Sequence, residues 1–186
     1  MKPTDAPLLA TERLILRGWR ASDRAPFARM NDDARVMEHF PARLSRAESD
    51  AFVERIQASF RDRGFGLWVI ERRSDAAFLG FAGLIDQTFE AHFTPAVEVG
   101  WRLAVDAWGN GYATEAARET VRFGFVEIGL DEIVSITAPA NTRSRRVMEK
   151  LGMTRDPADD FDHPRVPPGP LRGQVLYRLS RADWNS

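Results

Sequence analysis

Cysteine is absent from the 186 residues. That excludes a disulfide framework, a thiol redox centre and a cysteine nucleophile. Lysine is nearly absent too: Lys2 and Lys150 stand against 24 arginines, and arginine in bulk is ordinary solvated surface. Charge of one sign is not in excess. The net charge is -1 and the pI is near 6.3, which argues against a protein that grips nucleic acid through a basic face. No apolar run approaches the ~20 residues needed to span a bilayer, so no membrane partner is expected. The opening stretch MKPTDAPLLATERL has no apolar core of the kind a secretory signal carries, and the cytoplasm is the default expectation. His39, His92 and His163 are scattered, with no carboxylate at ligand spacing, so no metal site is expected.

What remains is the composition of an ordinary globule, 44% hydrophobic and 28% charged, with a length that suits one domain over 1–186. Thr11 to Trp19 reads as a first strand, with Leu14 and Leu16 on one face and Ile15 and Arg17 on the other. Ser22-Asp23 opens a short helix over Ala25 to Asn31, and a further helical turn is expected over Ala34 to Glu38. Ser45-Arg46-Ala47-Glu48 has capping-box spacing. Phe52, Ile56 and Phe60 behind it form an amphipathic stripe that reads as core, and Arg63-Gly64 ends that helix. Gly66 to Glu71 and Phe78 to Ile85 pair as a hairpin around Arg73-Ser74-Asp75-Ala76. Ala96 to Val105 is the next strand. Thr114 to Ile128 is a helix capped by Gly129, and Glu132 to Thr137 is a short strand. Asn141 to Leu151 is a helix closed by Gly152, and Gln174 to Leu179 is the last strand. Residues 154 to 172 carry five prolines and four aspartates and read as loop. The order predicts a mixed α/β (α+β) fold on one mostly antiparallel sheet, with a parallel crossover between 96 and 137.

The turn Trp108-Gly109-Asn110-Gly111-Tyr112-Ala113-Thr114 lies between that strand and the helix. Small residues let backbone amides converge there, and unpaired amides at a helix N-terminus suit an anion such as pyrophosphate. A Walker A loop is disfavoured because Tyr112 follows Gly111 where Lys is needed. A dinucleotide fingerprint lacks its third glycine. A tight connection with no ligand is the plain alternative.

Val97-Glu98-Val99-Gly100-Trp101-Arg102-Leu103, followed by Trp108 to Ala116, resembles the acetyl-CoA-binding motif of GNAT N-acetyltransferases. The RimJ/RimL (ribosomal-protein alanine acetyltransferase) branch is the most similar. Asn141 to Met153, Thr11 to Arg17, Phe161 to Pro164 and Leu176 to Leu179 agree in the expected order. Trp108 stands where Gln or Arg is usual in the superfamily, a substitution familiar in this branch.

The resemblance implies a sheet splayed between its fourth and fifth strands, here Ala96 to Val105 and Glu132 to Thr137. The pantetheine arm of acetyl-CoA would pair with the backbone around Leu103, Ala104 and Val105. Its pyrophosphate would lie on the amides of Gly109 to Thr114, with Trp108 beside them and Tyr112 packed away from the phosphates. Asn141 matches a position that contacts the cofactor, although helix N-capping is its ordinary role. Arg146, with Arg143 and Arg145, would steer the ribose phosphate. Glu98 is the implied base, directly or through water; a solvated residue or an ion pair with Arg102 is the alternative. A backbone amide near Leu103 would stabilise the oxyanion. The usual tyrosine acid is absent, with Met148 at its position, which leaves Ser144 as the hydroxyl nearest the leaving thiolate and Tyr177 as a weaker candidate.

The implied activity is direct transfer of an acetyl group to a primary amine in a ternary complex. The acceptor would be a protein N-terminus or a small amine. A non-catalytic acetyl-CoA-binding sensor is the alternative. The acceptor groove is expected from the first two helices and the loops near 38 to 44, 86 to 95 and 154 to 172, with Asp159 to His163 as a mobile acidic loop at its opening. Homodimers are common in the branch, and Phe89 and Phe93 are expected as exposed aromatics at such a contact.

Overall fold

The computed structural model describes residues 6–184; the opening residues 1–5 of the stretch read above for a signal lie outside it. Eight strands form one sheet in the order β1-β2-β3-β4-β5-β6-β8-β7. They are β1 (Leu9–Ala10), β2 (Leu14–Arg17), β3 (Leu67–Arg72), β4 (Phe78–Gln87), β5 (Ala96–Leu103), β6 (Glu132–Thr137), β7 (Phe161–Asp162) and β8 (Gly173–Ser180). Every pairing is antiparallel except β5 with β6. The helices are α1 (Arg24–Asp32), α2 (Arg46–Arg63), α3 (Tyr112–Phe123) and α4 (Thr142–Lys150).

The expected elements form where local chemistry is strongest. Ser45 Oγ accepts from the Glu48 amide at 3.2 Å, and Glu48 Oε2 accepts from the Ser45 amide at 2.7 Å. This reciprocal box starts α2. Gly64, left-handed at φ 76, ends it. Phe81 of β4 meets Phe27 of α1 and Phe52 of α2 at 6.0 Å between ring centroids. Leu84, on the opposite face of the same strand, packs toward Gly124 just past α3. Helices therefore cover both faces of the sheet. Among the described residues no helix is long and apolar enough to cross a membrane.

Several boundaries differ from the sequence reading. Residues 34–38 form turns and no helix. α3 stops at Phe123 and continues as a π turn over Gly124–Ile128. β5 stops at Leu103 because the chain turns at Ala104 into a 3₁₀ segment, Val105–Ala107. Residues 154–172 are not free loop. Phe161 and Asp162 pair with β8, Asp159 holds Arg178 at 2.8 Å, and Asp160 holds Arg155 at 2.9 Å through its Nε. Phe89 is not exposed: it is buried, stacked on Phe161 at 5.9 Å and 4.4 Å from the His163 ring. Phe93 joins the same cluster edge-on to Phe161 at 4.9 Å. Aromatic edge and face packing holds that loop down.

Arg17, on the face of β2 opposite Leu14 and Leu16, carries a charge into the interior. It is buried, forked onto Asp23 at 2.7 and 2.9 Å, and donates through Nε to Glu71 at 2.6 Å. The triad ties β2, β3 and the entry to α1. Removing one member of a buried ionic set leaves the others uncompensated. Arg17→Met is expected to lower unfolding free energy by about 3–5 kcal/mol, read by urea denaturation. A loss near zero would mean water reaches the two carboxylates.

Candidate active site

β5 and β6 share a single registered pair, Glu98 with Val134. Near it the Ser135 hydroxyl donates to the Val99 carbonyl at 2.9 Å. Farther along β5 the strands part. The Ala104 amide donates to the Leu79 carbonyl at 2.9 Å, toward β4. Backbone groups alternate sides along a strand, so those of Trp101 and Leu103 face the opening. Trp108 Nε1 occupies the Leu103 carbonyl at 3.0 Å, and the Leu103 amide remains on the open side.

The opening widens into a cleft of about 620 Å³. The glycine turn reaches it through Trp108, Gly109 and Gly111, and the first turn of α3 through Tyr112, Ala113 and Thr114. Leu103 and Glu98 come from β5, and Asn141, Ser144 and Arg146 from the start of α4. Ala104, Val105 and Asn110 do not line it. The Ala104 amide is spent on Leu79, and the Val105 carbonyl accepts from the Trp108 amide at 3.0 Å. Asn110 folds the turn instead, with Nδ2 on the Trp108 carbonyl at 2.9 Å.

Gly109 and Gly111 are left-handed, at φ 76 and 79, a conformation that costs a side-chain-bearing residue. Gly111 is the N-cap of α3 and supplies no side-chain cap, so the first-turn amides are left for a ligand. The turn is clamped from outside. Glu115 accepts from the Thr11 hydroxyl at 2.6 Å, the Arg13 amide at 3.0 Å and Arg13 Nε at 2.7 Å. Arg13 Nη1 reaches the Asn110 carbonyl at 3.0 Å, and its guanidinium lies 4.8 Å from the Tyr112 ring centre. The sequence marks Thr11 to Arg17 as strand and as part of the family resemblance, but not as a clamp on the turn, because the clamp spans about a hundred residues and has no local signal.

Across the cleft, Asn141 caps α4 by accepting from the Ser144 amide at 3.2 Å, while Nδ2 donates to Thr137 Oγ1 at 3.0 Å. Arg143 lies 4.3 Å from the Trp108 ring centre and pairs with Glu38 at 3.2 Å. Met148 is buried at the cleft wall. Tyr177 is turned elsewhere: its hydroxyl donates to Glu149 and accepts from Arg145, each at 3.2 Å.

Among the described residues Glu98 is the only carboxylate lining the cleft. Burial pushes its carboxyl up to about 7, against the opposing pull of hydrogen bonds from Gln87 Nε2 and the Ile136 amide. Its side chain pairs with Gln87 and not with Arg102, which corrects the ion-pair alternative. Arg102 instead donates to Asn31 Oδ1 at 2.7 Å. Gln87, Asn31 and Arg102 were missed as site residues. Only for Arg102 was there a signal, since the period of a strand puts 98, 100 and 102 on one face.

Comparison with known proteins fits this geometry. Residues 13–154 match the acetyltransferase (GNAT) domain family. YkkB of Bacillus subtilis is 33% identical over 146 residues, 78% of this chain and 84% of that one. A crystal structure of a GNAT-family acetyltransferase from Bacillus anthracis superposes with TM-score 0.77 at 26% identity, covering 94% of this chain and 98% of that one. Mycobacterium smegmatis RimJ, solved with CoA-disulfide, shares the fold at TM-score 0.76 and 20% identity, over 99% of this chain and 90% of that one. The chain therefore belongs to the GNAT family of acetyl-CoA-dependent N-acetyltransferases.

Proposed function

We propose that the protein moves an acetyl group from acetyl-CoA directly to a primary amine, a protein N-terminus or a small amine, within a ternary complex. The observation that carries this reading is Glu98, a lone buried carboxylate held near neutrality where two parallel strands separate. When bound, acetyl-CoA supplies a thioester carbonyl. The chain's own groups fit it. The uncapped amides after Gly109 and Gly111 suit the diphosphate. The backbone of Trp101 and Leu103 on the open side suits the pantetheine amides, which need partners once desolvated. Just past that strand end, Ala104 spends its amide on Leu79 and its carbonyl on Ala107, and the Val105 carbonyl takes the Trp108 amide. Arg146, exposed on α4, suits the ribose phosphate.

An amine attacks only when neutral, yet α-amino groups titrate near ~8 and lysine near ~10.4. Glu98 takes the proton, directly or through water. The Leu103 amide is positioned on the side where a carbonyl oxygen gains charge. Ser144 is the hydroxyl of the α4 wall assigned to the leaving sulfur; Met148 stands where the tyrosine acid is usual, and Tyr177 is turned onto Glu149 and Arg145.

CoA binding is expected to release measurable heat on calorimetric titration. Gly111→Val is expected to weaken it at least tenfold, because valine resists φ near +79. Undiminished affinity in that variant would remove the turn from the site. Glu98→Gln should retain CoA binding and lose about 100-fold or more in kcat/KM at neutral pH. The wild-type rate should climb as pH rises through about 7, and the variant should lose that limb. An unchanged profile ends the base assignment; a wild type that binds CoA yet acetylates no amine favours the sensor.

The same substitution has a stability consequence. The folded carboxyl titrates above its unfolded value, so folding is penalised as pH rises from the unfolded pKa toward about 7. Glu98→Gln is expected to be the more stable protein above pH ~7, by up to about 3 kcal/mol, with no advantage below pH ~4. Thermal melts across that range measure it.

A further inference from the structure

The floor of the cleft carries a second charged group that the transfer step leaves unused. Arg102 lies on the same face of β5 as Glu98, with Gly100 between them, and all three line the cleft. Its guanidinium sits 4.1 Å from the ring centre of Phe40 and 5.4 Å from that of Phe81. Nη1 donates to Asn31 Oδ1 at 2.7 Å. Nε is shielded from water and has no partner among the described residues. Asn31 is fully buried and itself held by Ser49 Oγ at 3.0 Å, so it fixes the fork in place with a neutral acceptor.

Arg17 and Arg102 differ in their partners. Arg17 has two carboxylates. Arg102 has none, and burial alone, with no neighbouring acid to oppose it, pulls it down to about 10. A cation taken out of water without a counter-charge is costly unless a ligand brings one. With Nη1 on Asn31 and Nε shielded, Nη2 is the donor left toward the cleft, placed for a charge-assisted hydrogen bond to a carboxylate.

We propose that Arg102 binds a carboxylate of the acceptor, so that the protein acetylates a small amine that also carries an acid group. This rests on the acetyl-transfer reading above. Four residues of strand separate the Cα atoms of Glu98 and Arg102 by about 13 Å, and both side chains reach into the trough over Gly100. An acceptor lies along it with its amine at Glu98 and its carboxylate at Arg102. Ile85, Phe52, Phe40 and Phe81 provide an apolar wall for the spacer between the two ends.

The test compares phenylacetate with its neutral amide, phenylacetamide, by calorimetry on the full chain, with and without CoA. The acid is expected to bind about ten- to a hundredfold more tightly, the span of a hydrogen bond to a charged group. Arg102→Met should abolish the preference. Asn31→Asp should abolish it too, by supplying Arg102 with a counter-charge while keeping Asn31's shape and its contact with Ser49. Acetylation of 5-aminopentanoate against 5-aminopentanamide should follow the same order. Equal binding of acid and amide, no saturable binding of the acid, or a preference that survives both variants overturns the proposal. CoA heats from the same samples judge the transfer reading separately: a wild type that ignores CoA but prefers the acid keeps the anion site and loses the reaction.

Discussion

Two parallel strands that touch at one registered pair impose the constraint from which the rest of the site follows. Beyond Glu98 and Val134 the backbone of β5 faces an opening instead of a neighbour. Buried amides and carbonyls without partners are expensive, so such a gap persists only if side chains, water or a ligand satisfy it. The chain closes part of it itself, through Ser135 on Val99 and Trp108 on Leu103. What it leaves open is an extended edge, and an extended amide-bearing ligand is the natural complement. The same separation buries Glu98 without pairing it to a cation, which is why its proton is held near neutrality.

The gap is useful only if its two walls stay in register, and that is the work of residues far from it. Arg13 and Glu115 fasten the glycine turn to the chain just before β2. Arg17 fastens β2 to β3 and to the entry of α1. Phe89, Phe161 and His163 hold the segment before β8 against the β4–β5 connection. Arg143 links α4 to Trp108 and to Glu38. The two walls of the cleft are thus tied into one frame, and the two charged groups on β5 keep a fixed separation along it.

Legibility followed the range of the interactions. The capping box at Ser45, the left-handed glycines at 64, 111 and 129, and the strand at Glu132–Thr137 depend on neighbours a few residues away, and all were readable. The two-residue strands Leu9–Ala10 and Phe161–Asp162 were not, because two residues carry no period and exist only through their partners. The turns at 34–38 had helical composition, but Asp33 is extended and takes Arg35 in a local ion pair. The turn, Glu98 and the start of α4, picked out by their motifs, line one cleft. Gln87 and Asn31 were not, since nothing local marks a polar residue whose partner lies across the sheet.

Taken alone, the order of residues determined the element types, the glycine turn that leaves amides free and the family to which they point, because backbone geometry and short motifs are local properties. Tertiary structure decided which charges are compensated. Arg17 and Arg102 are both arginines on strands, indistinguishable by pattern. Only the packing of Asp23 and Glu71 around one, and of Asn31, Phe40 and Phe81 around the other, makes the first a structural tie and leaves the second a cation in need of an anion.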